Sequence, residues 1–197
     1  MPASGNRSLV ATIETDRLTI RPPVEADRVR FVELFTSEAF TVYSDGVHDI
    51  ESANARFDRM LRMVDTVPSA KQPVIERRSG TIIGYTGAGS VLIDGIDRLE
   101  WGWRLAPEAR GRGYATEAAT ALLSFADRLD NGEMLCLIDA ANHASRRVAE
   151  KVGFQWWRRI EWMDDPDDPT ELLIRPIGAG GAPLITPSAS DEAEPDG

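Results

Sequence analysis

Apolar residues recur at two different spacings along the chain, and these spacings separate strands from helices. Alternation predicts a strand over residues 13–21, which ends at a pair of prolines that cannot continue a β-ladder. Helical spacing predicts one helix that begins near Val24 and a second helix over residues 50–67. Residues 40–49 between them show neither spacing and are predicted to form a loop.

The middle of the chain is rich in strand-forming residues. Three apolar segments with short connections cover residues 73–77, 81–90 and 99–105. They predict an antiparallel meander of three strands.

From Gly113 the spacing becomes helical again, and small and apolar residues predict a long helix that reaches residue 129. The continuous apolar run over residues 134–138 is typical of a strand that is covered on both faces. A strand, a helix and a strand in sequence form a βαβ crossover with a parallel pair. The predicted fold class is therefore α/β (α+β), with a mixed sheet.

The last elements are shorter. A helix is predicted over residues 143–152, with Asn142 as its N-cap and Gly153 at the left-handed position that ends it. Two final strands are predicted over residues 154–162 and 171–176, around an acidic loop.

Length and composition indicate one folded domain with polar tails. The chain has 197 residues and 42% hydrophobic content, enough for one core without disulfides or metals. Residues 1–8 and 178–197 are mostly small, polar or acidic, and we expect them to be flexible tails around a domain at residues 9–177.

The charge of the chain limits its partners. A net charge of −10 argues against nucleic acid or an anionic membrane surface. Acidic residues in the segments 161–171 and 178–197 account for the whole imbalance, so any site in the domain depends on local charges. The single cysteine, Cys136, rules out an intramolecular disulfide. No leader or membrane-spanning run is evident, which favours a cytoplasmic location.

The segment Arg110-Gly111-Arg112-Gly113 leads from a strand end directly into the long helix. Glycines let main-chain N–H groups point into one concave nest, and a helix N-terminus adds unsatisfied donors and partial positive charge. This arrangement favours an anion such as a pyrophosphate. A tight turn with solvated arginines is the alternative. A nucleotide-binding oxidoreductase is disfavoured, because the dinucleotide fingerprint requires a small residue where this loop has Thr116.

Three motifs that occur in order make the chain resemble the GNAT N-acetyltransferases, and within them the branch typified by enzymes that acetylate ribosomal-protein N-termini. The motifs are TDRLTIRP at residues 15–22, RGRGYATEA at residues 110–118, and NHAS through EKVGF at residues 142–154. The resemblance spans residues 13–177. It implies the fold of that family, a mixed, mostly antiparallel central sheet flanked by helices.

The resemblance also implies acetyl-CoA as the cosubstrate and matches residues to it. Main-chain groups at a strand end would contact the pantetheine arm, namely those of Trp103, Arg104 and Leu105. The loop and first helical residues would bind the diphosphate, namely Arg110, Gly111, Arg112, Gly113, Tyr114 and Ala115.

Two residues of the third motif are similar to residues near the cofactor in this family. The Asn142 side chain would contact the cofactor arm, and Ser145 would lie near the thioester sulfur, where it could protonate the leaving thiolate. A plain helix cap and a serine without chemistry are the respective alternatives. Many relatives have a tyrosine as general acid where this chain has Ala149, so Ser145 or water must supply any proton.

Acetyl transfer requires a neutral amine, a proton acceptor and stabilisation of an oxyanion. A protein α-amine is about 10–15% neutral at pH 7, and a lysine side chain only about 0.04%, so an α-amine needs only a modest base. Glu100 is the candidate base, because alternation places it with Gly102 on the strand face opposite Trp101 and Trp103. Alternatively, Glu100 pairs with an arginine or attracts a cationic amine.

The remaining reactive residue types do not form a second site. His48 and His143 are too few and too scattered for a metal site, so no metal is expected. Cys136 lies in an apolar strand and is expected to be a packed thiol. The late tryptophans are expected to pack in the core. The alternative is an amine cleft lined by at most one or two of Trp156, Trp157 and Trp162 and by acids such as Asp164 and Asp165.

We therefore expect an N-acetyltransferase that moves the acetyl group of acetyl-CoA directly to a primary amine. The expected acceptor is a protein N-terminal α-amine or a small-molecule amine. A non-catalytic acyl-CoA-binding or interaction module is the alternative. A homodimer is a further expectation, because exposed strands in such folds often pair.

Overall fold

The computed structural model describes residues 8–43, 46–129, 133–161 and 169–176. Within these ranges the chain forms eight strands. They are β1 (Ile13–Glu14), β2 (Leu18–Ile20), β3 (Gln72–Glu76), β4 (Thr81–Ile93), β5 (Ile96–Leu105), β6 (Glu133–Asp139), β7 (Gln155–Glu161) and β8 (Pro169–Pro176).

All eight strands join one sheet in the order β1-β2-β3-β4-β5-β6-β8-β7. Every neighbouring pair is antiparallel except β5 and β6, which are parallel. The predicted meander of three strands is confirmed as β3, β4 and β5, and so is the parallel pair on either side of the long helix. The sheet is therefore mixed and mostly antiparallel, as the sequence predicts.

The strand predicted over residues 13–21 is wrong as one continuous element. The chain turns back after Glu14, so that β1 and β2 pair with each other and Ile13 faces Ile20. Thr15 closes the turn, because its amide donates to the Leu18 carbonyl and its hydroxyl accepts from the Leu18 amide, both at 2.9 Å. A local hydrogen bond from a threonine hydroxyl competes with extension of a strand. The alternation of apolar residues in the sequence is the same with or without this turn, so the alternation does not predict it.

Five α-helices occur in the described ranges. They are α1 (Arg28–Phe35), α2 (Glu38–Thr41), α3 (Ile50–Met63), α4 (Tyr114–Ala126) and α5 (His143–Lys151). The predicted helices are confirmed with shorter bounds. The helix α1 begins four residues after Val24, α3 ends four residues before residue 67, and α4 ends three residues before residue 129. The single turn α2 enters the segment 40–49, which the sequence predicts to be a loop. None of these helices is long and apolar enough to cross a membrane.

The helices cover the two faces of the sheet, and each face has its own apolar core. Tyr85 and Ala88 of β4 lie an odd number of residues apart and therefore point to opposite faces. Ala88 packs with Trp101 and with α4 and α5, on what we call the α4 face. Tyr85 packs with aromatic residues of α1–α3, on what we call the α1–α3 face, namely Phe31, Phe35, Phe40 and Phe57.

Candidate active site

Strands β5 and β6 separate near the middle of the sheet. They pair at only two positions, Leu99 with Met134 and Glu100 with Leu135. Beyond that point β5 stays paired with β4 up to Leu105, and β6 stays paired with β8 up to Asp139. The separation leaves a space between residues 101–105 and 136–139, which we call the cleft.

The Cys136 thiol shows which main-chain groups face the cleft. It donates to the Trp101 carbonyl at 3.2 Å, so the main-chain groups of Trp101 point towards β6. Main-chain direction alternates along a strand, so those of Trp103 point the same way, where β6 is no longer paired with β5. The thiol is fully buried, and burial raises its pKa well above the usual value, as expected of a packed cysteine.

The main chain of Arg104 points the other way, towards β4. A Cβ atom on Gly84 of β4 would lie only 2.0 Å from the Arg104 carbonyl oxygen. The Leu105 carbonyl accepts from Arg110 Nε at 3.0 Å, which leaves the Leu105 amide on the cleft side. The expectation that all three strand-end residues offer main-chain groups to a cofactor arm is therefore corrected. The main-chain groups of Trp103 and the amide of Leu105 face the cleft, and the main-chain groups of Arg104 do not.

The loop before α4 has the geometry of an anion-binding nest. Gly111 and Gly113 have φ angles of 72° and 78°, in the left-handed region that glycine adopts at little cost. The first helical bond of α4 runs from the Glu117 amide to the Gly113 carbonyl at 3.1 Å. The amides of residues 114–116 therefore precede the ladder and lack intrahelical acceptors. A helix of 13 residues starting at Tyr114 adds partial positive charge at this point.

The two arginines of the loop lie in different places. Arg110 turns away from the nest, because Nη2 donates to the Ala39 carbonyl at 2.7 Å and Nε donates to the Leu105 carbonyl. The side chain of Arg112 stays at the rim, 52% exposed, with Nη2 3.4 Å from Glu76 Oε1. The prediction that both guanidinium groups add charge to the nest is thus corrected to Arg112 alone.

A brace from the first hairpin fixes this loop, and sequence reasoning does not find it. Arg17 Nη1 donates to the Arg112 carbonyl at 2.9 Å, and its guanidinium lies 4.5 Å from the ring centre of Tyr114. Glu117 accepts from Arg17 Nε and from the Thr15 hydroxyl, both at 2.6 Å. Thr15 and Arg17 belong to the first motif, but about 100 residues separate them from their partner, and no local pattern indicates such a pairing.

The brace predicts a stability effect that depends on pH. Burial tends to raise the pKa of Glu117, but the hydrogen bonds from Thr15 and Arg17 outweigh it and lower that pKa. A carboxyl group with a lowered pKa stabilises the fold above its unfolded pKa of about 4.3, and this stabilisation is lost as the pH falls through the folded value. Glu117→Gln should therefore reduce the free energy of unfolding by roughly 1–2 kcal/mol at pH 7.

Chemical denaturation at several pH values checks this prediction. The difference between wild type and Glu117→Gln should shrink as the pH falls below about 4. The control is Glu33→Gln, because Glu33 forms an exposed pair with Arg30 in which its side chain is 59% exposed. Such a pair contributes little at any pH. Equal losses for the Glu117 variant at pH 7 and at low pH would contradict the account.

Glu100 lies on the α1–α3 face, where its carboxylate meets a lysine. Lys71 Nζ donates to Glu100 Oε2 at 2.9 Å, and the two side chains are 24% and 19% exposed. Burial tends to lower the pKa of Lys71, but the charges of Glu100 and Tyr85 outweigh it and raise that pKa, so Lys71 stays cationic. The alternative to a catalytic role for Glu100 is a pair with an arginine or the attraction of a cationic amine, and the cation that the structure places beside it is Lys71.

Gly102 makes room for the second oxygen of this carboxylate. A Cβ atom at Gly102 would lie 2.8 Å from Glu100 Oε1. The absent side chain therefore lets the carboxylate lie over β5 in the direction of the cleft. Glu100 and Gly102 share a face, as the alternation predicts.

The start of α5 is capped as predicted. Asn142 Oδ1 accepts from the Ser145 amide at 3.0 Å, which confirms the cap and leaves the Asn142 amide nitrogen and the Ser145 hydroxyl available for other contacts. Gly153 has a φ angle of 95° and ends the segment in the left-handed conformation. Ala149 is fully buried on the α4 face, so a core residue occupies the place where many relatives have a tyrosine.

In the part of the chain that the structure describes, the histidines and the late tryptophans do not contribute to the cleft or to the loop before α4. Within the described ranges no group of three potential ligands could hold a metal ion. His48 Nε2 lies 3.1 Å from Arg56 Nη1. Trp157 is buried against apolar residues of β4, β6 and β8, in agreement with core packing. Trp162, Asp164 and Asp165 lie outside the described residues, and so do residues 1–7 and 178–197 of the predicted tails.

Comparison with known proteins gives consistent matches. Residues 17–155 match the model of the acetyltransferase (GNAT) domain. The uncharacterized protein YkkB of Bacillus subtilis is 29% identical over 154 residues, which are 77% of this chain and 90% of that protein.

Two solved structures show the same fold. The ribosomal-protein-S5-alanine acetyltransferase of Vibrio fischeri matches with a TM-score of 0.72 at 14% identity, over 88% of this chain and 100% of that one. A phosphinothricin acetyltransferase of Sinorhizobium meliloti, solved in complex with AcCoA, matches with a TM-score of 0.66 at 20% identity, over 89% of this chain and 95% of that one.

Proposed function

The chain belongs to the GNAT acetyltransferase family, and from this premise we propose that it transfers the acetyl group of acetyl-CoA directly to a primary amine. The observation that carries the proposal is the joining of the cleft to the nest. The cleft ends where β5 ends at Leu105, and the nest begins a few residues later. One extended molecule, with a thioester at one end and a pyrophosphate further along, could lie in the cleft and the nest at the same time.

The cleft and the nest suit different parts of acetyl-CoA. The main-chain groups of Trp103 suit the amides of the pantetheine arm, because the arm would hydrogen-bond along the free edge of β5 in the way that an added strand does. The amides of Gly111 through Thr116 suit the pyrophosphate, with Arg112 at the rim. The Asn142 side chain suits the arm, because its nitrogen is not used by the cap. The complex with AcCoA described for the Sinorhizobium protein is consistent with this assignment, which here rests on the residues themselves.

The proposed chemistry places a base on one side of the cleft and an acid on the other. The neutral amine attacks the thioester carbonyl carbon, and the nitrogen–carbon bond forms as the carbonyl becomes an oxyanion. The amine proton passes to the Glu100 carboxylate, directly or through a water. The carbon–sulfur bond then breaks, and Ser145 or a water supplies the proton for the thiolate. Because Cys136 is buried and bonded to Trp101, an acyl-cysteine intermediate has no accessible nucleophile there.

The acceptor we propose is a protein N-terminal α-amine or a small-molecule amine. A protein α-amine has a pKa of about 8, so a useful fraction of it is neutral at neutral pH and a single carboxylate base is sufficient for it. Similar folds occur in the ribosomal-protein-S5-alanine acetyltransferase and in the phosphinothricin acetyltransferase described above. At 14% and 20% identity these two proteins share the fold with this chain, and activity with both kinds of acceptor decides between a protein and a small-molecule amine.

The nest predicts a charge-specific effect on cofactor binding. Gly111→Asp should raise the Kd for acetyl-CoA at least about tenfold, because a carboxylate would face the pyrophosphate. Apart from the two chain neighbours of Gly111, no atom of the described residues lies within 4 Å of a Cβ there, and aspartate tolerates its left-handed φ, so the fold should persist. Titration calorimetry at low and high salt measures the effect, which should weaken at high salt.

Gly111→Asn is the matched control for that variant. Asparagine has nearly the shape and the same backbone tolerance as aspartate without its charge. The Asn variant should bind acetyl-CoA within about threefold of wild type. Equal losses in both variants would show that the effect is steric and that no anion lies there.

Amine-dependent thiol release tests the function as a whole. Purified protein and acetyl-CoA are mixed with a panel of peptides and small amines, and free CoA thiol is followed together with the mass of each amine. The proposal expects thiol release that depends on an amine, with one acetyl group added to it. Acetyl-CoA binding without release for any amine would favour a non-catalytic acyl-CoA-binding module, a reading consistent with the buried Ala149.

A further inference from the structure

Arg17 belongs to the first sequence motif and lies in the turn between β1 and β2. Its guanidinium reaches the loop before α4, where Nη1 donates to the Arg112 carbonyl oxygen at 2.9 Å. Its Nη2 would lie 3.5 Å from a Cβ atom on Gly113. The peptide group that joins Arg112 to Gly113 is therefore in direct contact with this side chain.

The contact with Arg17 determines where the Gly113 amide points. The carbonyl and the amide of one trans peptide point in opposite directions, and no peptide bond among the described residues is cis. Because the Arg112 carbonyl points to Arg17, the Gly113 N–H points away from that guanidinium. Arg17 lies beside α4, where it also contacts the Tyr114 ring and Glu117. The Gly113 N–H is thus directed into the nest, and it donates to no acceptor among the described residues.

Glycine leaves this peptide group free to turn unless a contact fixes it. Rotation of the peptide changes ψ of Arg112 and φ of Gly113, and glycine adopts φ values of either sign at little cost. The property that permits a φ of 78° at Gly113 therefore also permits the opposite orientation, in which a carbonyl oxygen faces the nest. Such an oxygen would repel a phosphate. The hydrogen bond from Arg17 favours the orientation that presents the N–H.

Arg17 is itself held by the Glu117 carboxylate. Its Nε donates to Glu117 Oε2 at 2.6 Å, and its main-chain amide donates to Oε1 at 3.2 Å. The Glu117 side chain is only 18% exposed and also accepts from the Thr15 hydroxyl. The charge of Arg17 is therefore already paired. What the guanidinium adds to the nest is the direction of Nη1, which its rigid plane sets once Nε is bound.

We propose that Arg17 is a positioning residue for the pyrophosphate of acetyl-CoA. It keeps the Gly113 N–H directed into the nest and does not itself contact the cofactor. This inference rests on the proposed acetyl transfer. It gives the first sequence motif a role in cofactor binding, although Arg17 and Arg112 are 95 residues apart in the chain.

Three acetyl donors separate the pyrophosphate from the rest of the cofactor. Acetyl-CoA and acetyl-dephospho-CoA both contain it, only the first has the 3′-phosphate, and S-acetylpantetheine has neither. Arg17→Gln should raise the Kd of the first two about ten- to thirtyfold, because a hydrogen bond to a charged group is weakened. Calorimetry measures these values without an acceptor. With the amine that the wild type acetylates fastest, kcat/KM for S-acetylpantetheine should stay within about twofold of wild type.

A lysine variant separates orientation from charge. Arg17→Lys keeps the positive charge and lacks the planar set of donors that joins Glu117 to the Arg112 carbonyl. It should therefore bind acetyl-CoA at most about threefold more tightly than Arg17→Gln. Thermal unfolding checks that both variants are folded at the temperature of the titration.

Arg77→Gln is the matched control for the stability of the first hairpin. Arg77 Nη1 donates to the Thr15 carbonyl at 2.7 Å, and its side chain is 47% exposed, as is that of Arg17. In the part of the chain that the structure describes, no hydrogen bond or ion pair joins it to residues 110–116. Loss of this side chain should leave the Kd of acetyl-CoA unchanged.

The outcomes separate this inference from the proposed function. Equal losses for all three donors, or equal losses for Arg17→Gln and Arg77→Gln, would mean that Arg17 acts through the fold as a whole, and the inference would be wrong. Wild-type affinity of Arg17→Lys would assign the effect to charge, and an unchanged Kd for acetyl-dephospho-CoA would assign it to the 3′-phosphate. Either result would also overturn the inference. If the wild type binds acetyl-CoA and releases no thiol with any amine, acetyl transfer fails, and the Kd values still test Arg17.

Discussion

Replacing Glu100 with glutamine is expected to lower kcat by about 10²–10⁴-fold, the usual contribution of a general base. The substitution keeps the shape of the side chain and removes its capacity to accept the amine proton. Acetyl-CoA should still bind with its wild-type Kd, because the cleft main chain and the nest do not involve this carboxylate. Steady-state kinetics together with calorimetry on the same preparation separate the two quantities.

Two controls keep this prediction specific. Glu108→Gln removes a carboxylate that is 67% exposed and pairs with Arg30 away from the cleft, and kcat should stay unchanged. Gly102→Ala leaves Glu100 in the sequence and displaces its Oε1, which would lie 2.8 Å from the new methyl group. It should also lower kcat. Thermal unfolding checks that the Glu100→Gln variant is folded. If the folded variant has the wild-type kcat, Glu100 is not part of the mechanism.

Replacing Gly84 with alanine is expected to destabilise the fold by roughly 3 kcal/mol or more and to lower Tm by about 6–12 °C. Gly84 has a φ angle of 150°, and its Cβ would lie 2.0 Å from the Arg104 carbonyl oxygen. Both atoms belong to rigid main chain in paired strands, so neither can move aside cheaply. The collision occurs where β5 forms the wall of the cleft, so the Kd for acetyl-CoA should rise as well.

Gly80→Ala is the control for that variant. Gly80 also has a positive φ, 70°, but in the part of the chain that the structure describes only its two chain neighbours lie within 4 Å of a Cβ there. Only backbone strain remains, about 1 kcal/mol, with a shift in Tm of about 2–4 °C. Similar losses for both variants in thermal unfolding would contradict the close approach of β4 and β5.

Most elements of the fold follow from local patterns in the sequence. The spacing of alanines and leucines from Gly113 onwards predicts α4, and the apolar run around Cys136 predicts a strand covered on both faces. The first hairpin does not follow, because its turn depends on the hydroxyl of Thr15. The β4 bulge near Gly84 is likewise set by a partner strand that periodicity cannot identify.

The candidate site divides in the same way. The anion nest is local, so the glycines at positions 111 and 113 are sufficient to predict it. The brace on Glu117 and the pairing of Lys71 with Glu100 join residues far apart in sequence, and they emerge only when the sheet is assembled. Whether the main-chain groups of Arg104 point to β4 or to the cleft depends on the register between β5 and β4, which the sequence of β5 alone does not define.

Titration of the wild-type protein with acetyl-CoA, followed by addition of amines in the same sample, tests the central claim most directly. Calorimetry should show saturable binding of acetyl-CoA, no binding of NADH as a control cofactor, and release of CoA thiol once a suitable amine is added. Absence of acetyl-CoA binding would contradict the assignment of the cleft and the nest, and with it the acetyl transfer proposed for this chain.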